Sequence, residues 1–448
     1  MATNTKVDML NGPLLMKILV FALPLAASSL LQQLFNSVDV AVVGRFASSK
    51  ALAAVGSNAP VISLLINLFV GISMGANVVI SNHIGQRDEE GIRRSVSTIA
   101  LLAVVCGLFL MCLGIAISRP ILELMDTPAD VLDMAVLYLR IYFVGIPFFL
   151  IFNFGSAILR SMGDTRRPLY ILMLAGVVNT LLNLFFVICL GMGVEGVAIS
   201  TGIANALSAT LIVLLLRREQ GALQLHFRHI KMHKKELKRM LQIGVPAGLQ
   251  GVVFSLSNVV IQSAINGYGA AAVAGSAAAL NFEYYCYYIV VAFNGAAISF
   301  IGQNYGARKY DRVKRIYHIC MLLGVVGCMV TNVLFTFYDH FFLSFFSTDP
   351  EVIRYGAIRM EGVLLFQFLA CSYEVTGSAL RGMGESMLPT LMTIIGTCLL
   401  RIVWVFAIVP HYHGFAQLLQ VYPLSWVITG AMVCIAYKVS MKKLCPST

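Results

Sequence analysis

Four acidic residues, Asp39, Glu283, Glu361 and Glu374, lie inside long apolar runs of this 448-residue chain. A carboxylate at mid-bilayer costs about 2.5–3.5 kcal/mol or more, so it normally faces a water-filled cavity or a partner. Asp39 closes a polar series, Gln32, Asn36 and Asp39, spaced i, i+4 and i+7 on one helical face. Asn179 and Asn183 repeat the i, i+4 spacing, and Thr201 adds a hydroxyl. One carboxylate, two amide oxygens and a hydroxyl could hold a small hard cation such as Na⁺, since hard ions take oxygen ligands. The carboxyl could instead carry a proton, because burial raises its pKa toward neutrality. A blander reading puts Asp39 at the outer interface, five residues before Gly44, and leaves the asparagines to hydrogen-bond between helices.

Glu374 has Cys371, Ser372, Tyr373 and Thr376 as neighbours, a setting that suits attraction of a cation or carriage of a second proton. Glu283 sits among Phe282, Tyr284, Tyr285, Tyr287 and Tyr288. Aromatic faces around a carboxylate suit an organic cation, and the same residues read equally as an interfacial belt. Glu361 lies i, i+7 from Arg354 and near Arg359, which reads as a local ion network.

Membrane-spanning helices must position these groups. The chain is 58% hydrophobic and 12% charged, about half the charged fraction of soluble domains. Its apolar residues form blocks of roughly the 20 residues that cross a bilayer. Twelve spans are predicted near 14–43, 52–83, 92–118, 131–158, 165–190, 194–216, 239–266, 272–303, 312–338, 352–380, 387–410 and 416–440. With both termini cytoplasmic, the inside segments carry 25 Lys and Arg against 3 outside, which sets that orientation in the cell (inner) membrane. The net charge of +11 then reflects topology and contact with anionic lipid, not nucleic acid. Residues 1–11 are short and polar, and the next apolar run exceeds a signal-peptide core, so no cleavable signal is expected.

The chain also repeats itself. Leu159-Arg160-Ser161-Met162-Gly163-Asp164 recurs as Leu380-Arg381-Gly382-Met383-Gly384-Glu385 at an offset of 221, as do Pro168 and Pro389. Pro24 with Pro246 and Pro128 with Pro350 lie 222 apart, and Gly85-Gln86 pairs with Gly302-Gln303 at 217. Six spans per copy make the halves run the same way through the membrane. The fold class is therefore an all-α polytopic membrane protein with two pseudo-symmetric six-helix bundles. The lobes are 1–216 and 239–448, joined by a cytoplasmic linker at 217–238. On this register Asn153 stands opposite Glu374, and Asp39 opposite Ile261 or Gln262. His226, His229 and His233 in and beside the linker could offer imidazoles to a metal, but no acidic or thiol group accompanies them, so a solvated basic loop is expected. The ten cysteines form no Cys-x-x-Cys pair and read as packing residues.

Several segments together resemble the multidrug and toxic compound extrusion (MATE) family. They are 32–44, 192–201, the duplicated Leu-Arg-x-x-Gly-[Asp/Glu]-x-x-x-Pro, and Phe300-Ile301-Gly302-Gln303-Asn304-Tyr305-Gly306-Ala307. The resemblance covers nearly the whole chain. It implies a secondary antiporter that exports cationic or amphipathic molecules in exchange for H⁺ or Na⁺ by alternating access. It also implies a cation-coupling site at Asp39, Asn179, Asn183 and Thr201. Some family members carry Asp where this chain has Asn183, so the loss of a charge leaves H⁺ open beside Na⁺. The substrate cavity between the lobes is expected to draw on Gln32, Asn36, Asn153, Gln262, Glu283, Tyr287 and Glu374. A monomer with no cofactor and no resident metal is expected, and no phosphate-binding loop for a nucleotide is present. A flippase for lipid-linked saccharides would instead want a cavity rich in Arg and Lys, whereas Arg140 and Arg401 are the clear mid-span cations. A membrane-embedded enzyme or sensor should show clustered catalytic or metal-binding groups within the spans, and no histidine sits mid-span.

Overall fold

The computed structural model describes residues 6–411 and 414–444. Among them, twelve helices are long and apolar enough to cross a membrane. They are α1 (Leu14–Ala47), α2 (Lys50–Gln86), α3 (Glu89–Leu124), α4 (Ala129–Ser161), α5 (Arg166–Cys189) and α6 (Val194–Arg218) in the first copy. The second copy has α7 (Lys234–Asn266), α8 (Ala270–Gly306), α9 (Tyr310–Phe337), α10 (Pro350–Gly382), α11 (Met387–His411) and α12 (Phe415–Lys443). No strand occurs among the described residues. A short helix, Asp339–Leu343, follows α9.

The duplicated Leu-Arg-x-Met-Gly motif is a helix stop. At the end of α4, Gly163 takes φ +93°, its N–H donates to the Arg160 carbonyl, and the Asp164 N–H donates to Leu159. Gly384, at φ +92°, makes the same pair of bonds to Arg381 and, through Glu385, to Leu380. This is a Schellman cap, which satisfies end carbonyls and needs a residue free to adopt a left-handed conformation. A second duplicated cap ends α2 and α8, with Arg87 and Arg308 both at φ +57°. Their offset is 221, so Gly85 corresponds to Gly306 rather than to Gly302. The loop slip implied by the 217 offset disappears.

The helices group into two compact units, and the grouping crosses the lobe limits read from the sequence. One unit holds Met1–Asp8 with Ala27–Gly248, and the other Met9–Ala26 with Leu249–Thr448. Each break falls two residues after a proline within a helix, Pro24 in α1 and Pro246 in α7. Proline removes a helical hydrogen bond and lets the helix kink there. In the first unit α4 packs against α2, α3 and α6. There α2 meets the first part of α7 through glycines: a Cβ on Gly75 would collide with the Met240 carbonyl, and one on Gly71 with the Gly248 backbone. Gly71-x₃-Gly75 and Gly244-x₃-Gly248 thus form a small-residue seam of the kind that brings membrane helices into backbone contact.

The segment before α7 is not a free solvated loop. Ser97 bonds both the N–H and the carbonyl of Lys231, the His233 N–H donates to Thr98, and His83 Nε2 lies 3.0 Å from Glu236. In the second unit, Asn304 and Arg312 hold the Met9 carbonyl, and Lys309 holds that of Leu10. Of the three histidines considered for a metal, His226 and His233 border one surface pocket. No metal-binding cluster forms among the described residues.

Candidate functional site

In the first unit, α1, α5 and α6 converge on Asp39. Phe35, one turn before Asp39, seats its ring over Gly176, one turn before Asn179, where any Cβ would collide with it. That close approach brings the two polar faces together. Asn179 Nδ2 donates to Asp39 Oδ1 at 2.9 Å, and Asn183 Nδ2 donates to the same oxygen. The Thr201 hydroxyl lies 3.0 Å from the Val197 carbonyl and 3.4 Å from Asp39 Oδ2. Asp39, Asn179 and Asn183 are buried. The carbonyl oxygens of both asparagines are buried without a hydrogen-bond partner. The four residues grouped from the sequence therefore do meet, and they leave two unused acceptors beside a carboxylate. A turn of π-helix follows the cluster in two of its three helices, Val43–Ala47 after Asp39 and Phe185–Cys189 after Asn183. Such widened turns often mark functional positions in helices.

The cluster opens onto a cavity of about 300 Å³, lined also by Gln32 and Asn36. Asn67 on α2 and Asn205 on α6 add polar groups that the sequence reading passed over. Each was a lone amide in an apolar run, with only a hydroxyl, Ser63 or Thr201, four residues before it. Asn153 does not line this cavity. It donates to the Phe149 carbonyl of its own helix at 3.0 Å.

The second unit contains a smaller cavity of about 160 Å³. Gln262, Glu283 and Tyr287 line it, yet its electrostatics differ from expectation. Glu283 is clamped by Arg359, whose Nε and NH2 donate to its two carboxylate oxygens at 2.6 and 3.0 Å. Gln367 adds a bond to the Glu283 carbonyl at 3.0 Å. A carboxylate bound at both oxygens by a buried guanidinium has no charge left to offer an organic cation. The proposed Glu361 network is absent: Glu361 is exposed, Arg354 pairs with Glu351 at 2.8 Å, and Arg359 belongs to Glu283. Arg401 lines the same cavity, whereas Arg140 lies exposed on α4.

Glu374 stands apart from that lining. It follows a 3₁₀ stretch, Leu364–Ala370, in the middle of α10. It accepts from Tyr287 at 3.3 Å and from Asn294 at 3.0 Å, both on α8. Asn294 was not anticipated, since an amide seven residues past Tyr287 in a small-residue helix carries no local mark.

Comparison with known proteins gives a consistent picture. A family model described as MatE matches residues 24–185 and 246–406, one stretch in each repeat. "Probable multidrug resistance protein YoeA" of Bacillus subtilis (strain 168) is 29% identical over 437 residues, covering 95% of this chain and 93% of that protein. "Probable multidrug resistance protein NorM" of Thermotoga maritima is 25% identical over 405 residues, covering 89% of this chain and 86% of its own length. Among solved structures, one described as MATE in the bent conformation superposes with a TM-score of 0.91 at 21% identity, over 99% of each chain.

Proposed function

The chain belongs to the MatE family, a family of multi-pass membrane transporters and not of enzymes, and from that premise we propose that it exports cationic or amphipathic small molecules as a proton-coupled antiporter. The observation that carries the reading is the Asp39 cluster, a buried carboxylate held by two amides and a hydroxyl at the wall of a cavity. Both amides turn their N–H groups toward Asp39, the arrangement that suits an ionised carboxylate. Protonation removes the charge those N–H groups serve and supplies a hydroxyl donor. Once turned, Asn179 and Asn183 offer it their unpartnered oxygens as acceptors. A Na⁺ ion would instead need both amides turned to present oxygen, with one carboxylate to balance it.

In this reading the protonated and ionised clusters favour different helix arrangements, and transport follows from the difference in affinity between the two states. Both termini lie in the cytoplasm, as the 25-to-3 distribution of Lys and Arg indicates. Each chain acts alone, since all four residues of the cluster come from one copy. Flipping of lipid-linked saccharides is the weaker reading, because Glu283 cancels Arg359 and leaves a single cation for a pyrophosphate. Efflux from vesicles under an imposed pH gradient, against one of Na⁺, tests the ion. Asp39→Asn should abolish efflux at unchanged expression. Efflux driven by Na⁺ alone would overturn the proton assignment, and normal efflux by the variant would remove Asp39 from coupling.

A further inference from the structure

We propose that the cavity of the second unit is an anion site, in which Arg401 binds the carboxylate of a small aromatic acid. Arg401 is fully buried in α11. Its NH1 donates to Asn258 Oδ1 at 3.0 Å, and its guanidinium lies over the rings of Phe254 and Tyr422, at 5.0 and 4.5 Å. Among the described residues no carboxylate lies within ion-pair distance of it, and its Nε and NH2 are buried with no hydrogen-bond partner. Buried polar groups in folded proteins are nearly always satisfied, so two idle donors on one guanidinium call for an explanation. The other charges lining the cavity, Glu283 and Arg359, cancel each other through two hydrogen bonds. The positive charge of Arg401 is what remains. A carboxylate meets a guanidinium edge through two parallel bonds, and two donors stand free here.

The repeat gives this arrangement a second support. At the offset of 221, Arg401 takes the place of Thr180, next to Asn179, and at 222 Asn258 takes the place of Asn36. The α7–α11 corner thus repeats the α1–α5 corner with its charge inverted: Arg401 stands at the Thr180 position, and the Asp39 position is uncharged, Ile261 or Gln262. Turns of π-helix bracket Arg401, Ile394–Leu399 before it and Trp404–Ile408 after it, as one follows Asn183. Size limits the ligand. About 160 Å³ is close to the roughly 150 Å³ of an engineered cavity that holds benzene. One ring with one carboxylate fits a cavity that Tyr284 and Trp426 help to line.

The inference goes beyond the export reading and is tested by equilibrium binding with no gradient, so the two can fail separately. The chain has two tryptophans, and of these only Trp426 lines the cavity. In a Trp404→Phe background, emission comes from Trp426 alone. In phosphatidylcholine nanodiscs, 4-nitrobenzoate should quench it saturably, about tenfold or more tightly than the isosteric neutral 4-nitrobenzamide. Arg401→Gln should remove that preference, and Arg401→Lys should keep part of it. Equal affinity for acid and amide in the parent chain, a result that needs no folded variant, overturns the proposal. An unchanged preference in Arg401→Gln also overturns it. Nanodiscs containing phosphatidylglycerol separate the sources of anion: loss of nitrobenzoate quenching there assigns the site to a lipid phosphate and overturns the aromatic acid.

Discussion

A carboxylate inside an apolar span persists either by being neutralised or by being kept available, and this chain does both. Glu283 is neutralised. Removing its charge would leave Arg359 buried and unpaired, a loss of about 3–5 kcal/mol. Glu283→Gln should therefore unfold well below the parent in detergent, and Glu283→Gln with Arg359→Met should recover most of the difference. A single variant as stable as the parent would show that the pair carries no such energy. Asp39 is kept available, bonded by neutral amides instead of a cation. Its partners could be read from the chain because helical spacing puts each polar pair on one face before any packing is known. The Arg359 pairing could not, because the acidic group beside Arg359 in the chain, Glu361, is not its partner. Local spacing pointed instead to Glu361 and Arg354, and tertiary packing overrode it. Arg401 was visible as a mid-span cation, but the lack of a counter-charge is a property of the packed cavity alone.

The helix ends and the helix crossings hold these groups in register. Arg167 opens α5 and bonds both Asp164 and Glu219, while Lys6 reaches Glu219 at 2.7 Å. Burial pushes the Glu219 carboxyl up, but the Lys6 and Arg167 bonds prevail and hold it below its ordinary range. A carboxyl depressed in the folded state stabilises above its unfolded pKa and loses that contribution as pH falls through the folded value. Glu219→Gln should thus lower the melting midpoint at neutral pH. The gap from the parent should close once the pH drops below about 4, and a gap independent of pH would discount the ion pairs. Crossing geometry gives a harder constraint. Gly75→Leu drives a side chain into the Met240 carbonyl, an overpacking that costs about 1–3 kcal/mol or more. Its thermal midpoint should fall, and an unchanged midpoint would mean that α2 and α7 can separate freely. The number of helices was legible in apolar length, whereas the duplicated glycines that close α4 and α10 were read only as a repeat. The seam was not legible, because Gly71-x₃-Gly75 gains its meaning only from the partner helix.

At the scale of the whole molecule, the duplication was evident in the chain and the exchange of half-helices was not. The sequence suggested a boundary at the basic linker, 217–238, since charge and polarity change there. The compact units break instead just past Pro24 and Pro246. A proline marks where a helix can bend, but not which bundle receives each arm. Expressing 1–225 and 226–448 as separate polypeptides tests this. The first lacks Lys234–Gly248 and the second lacks Met9–Ala26, so neither should fold alone, and co-expression should restore both. Independent folding of either piece would contradict the partition. The same partition orders events on the ribosome. Met9–Ala26 is synthesised ahead of the rest of its unit, yet the carbonyls of Met9 and Leu10 wait for Asn304, Lys309 and Arg312. That strap is thus made before the remainder of its unit and is among the last parts seated. A half-length forebear with this plan would have lent its first half-helix to a second copy, as a domain-swapped pair that gene fusion later joined.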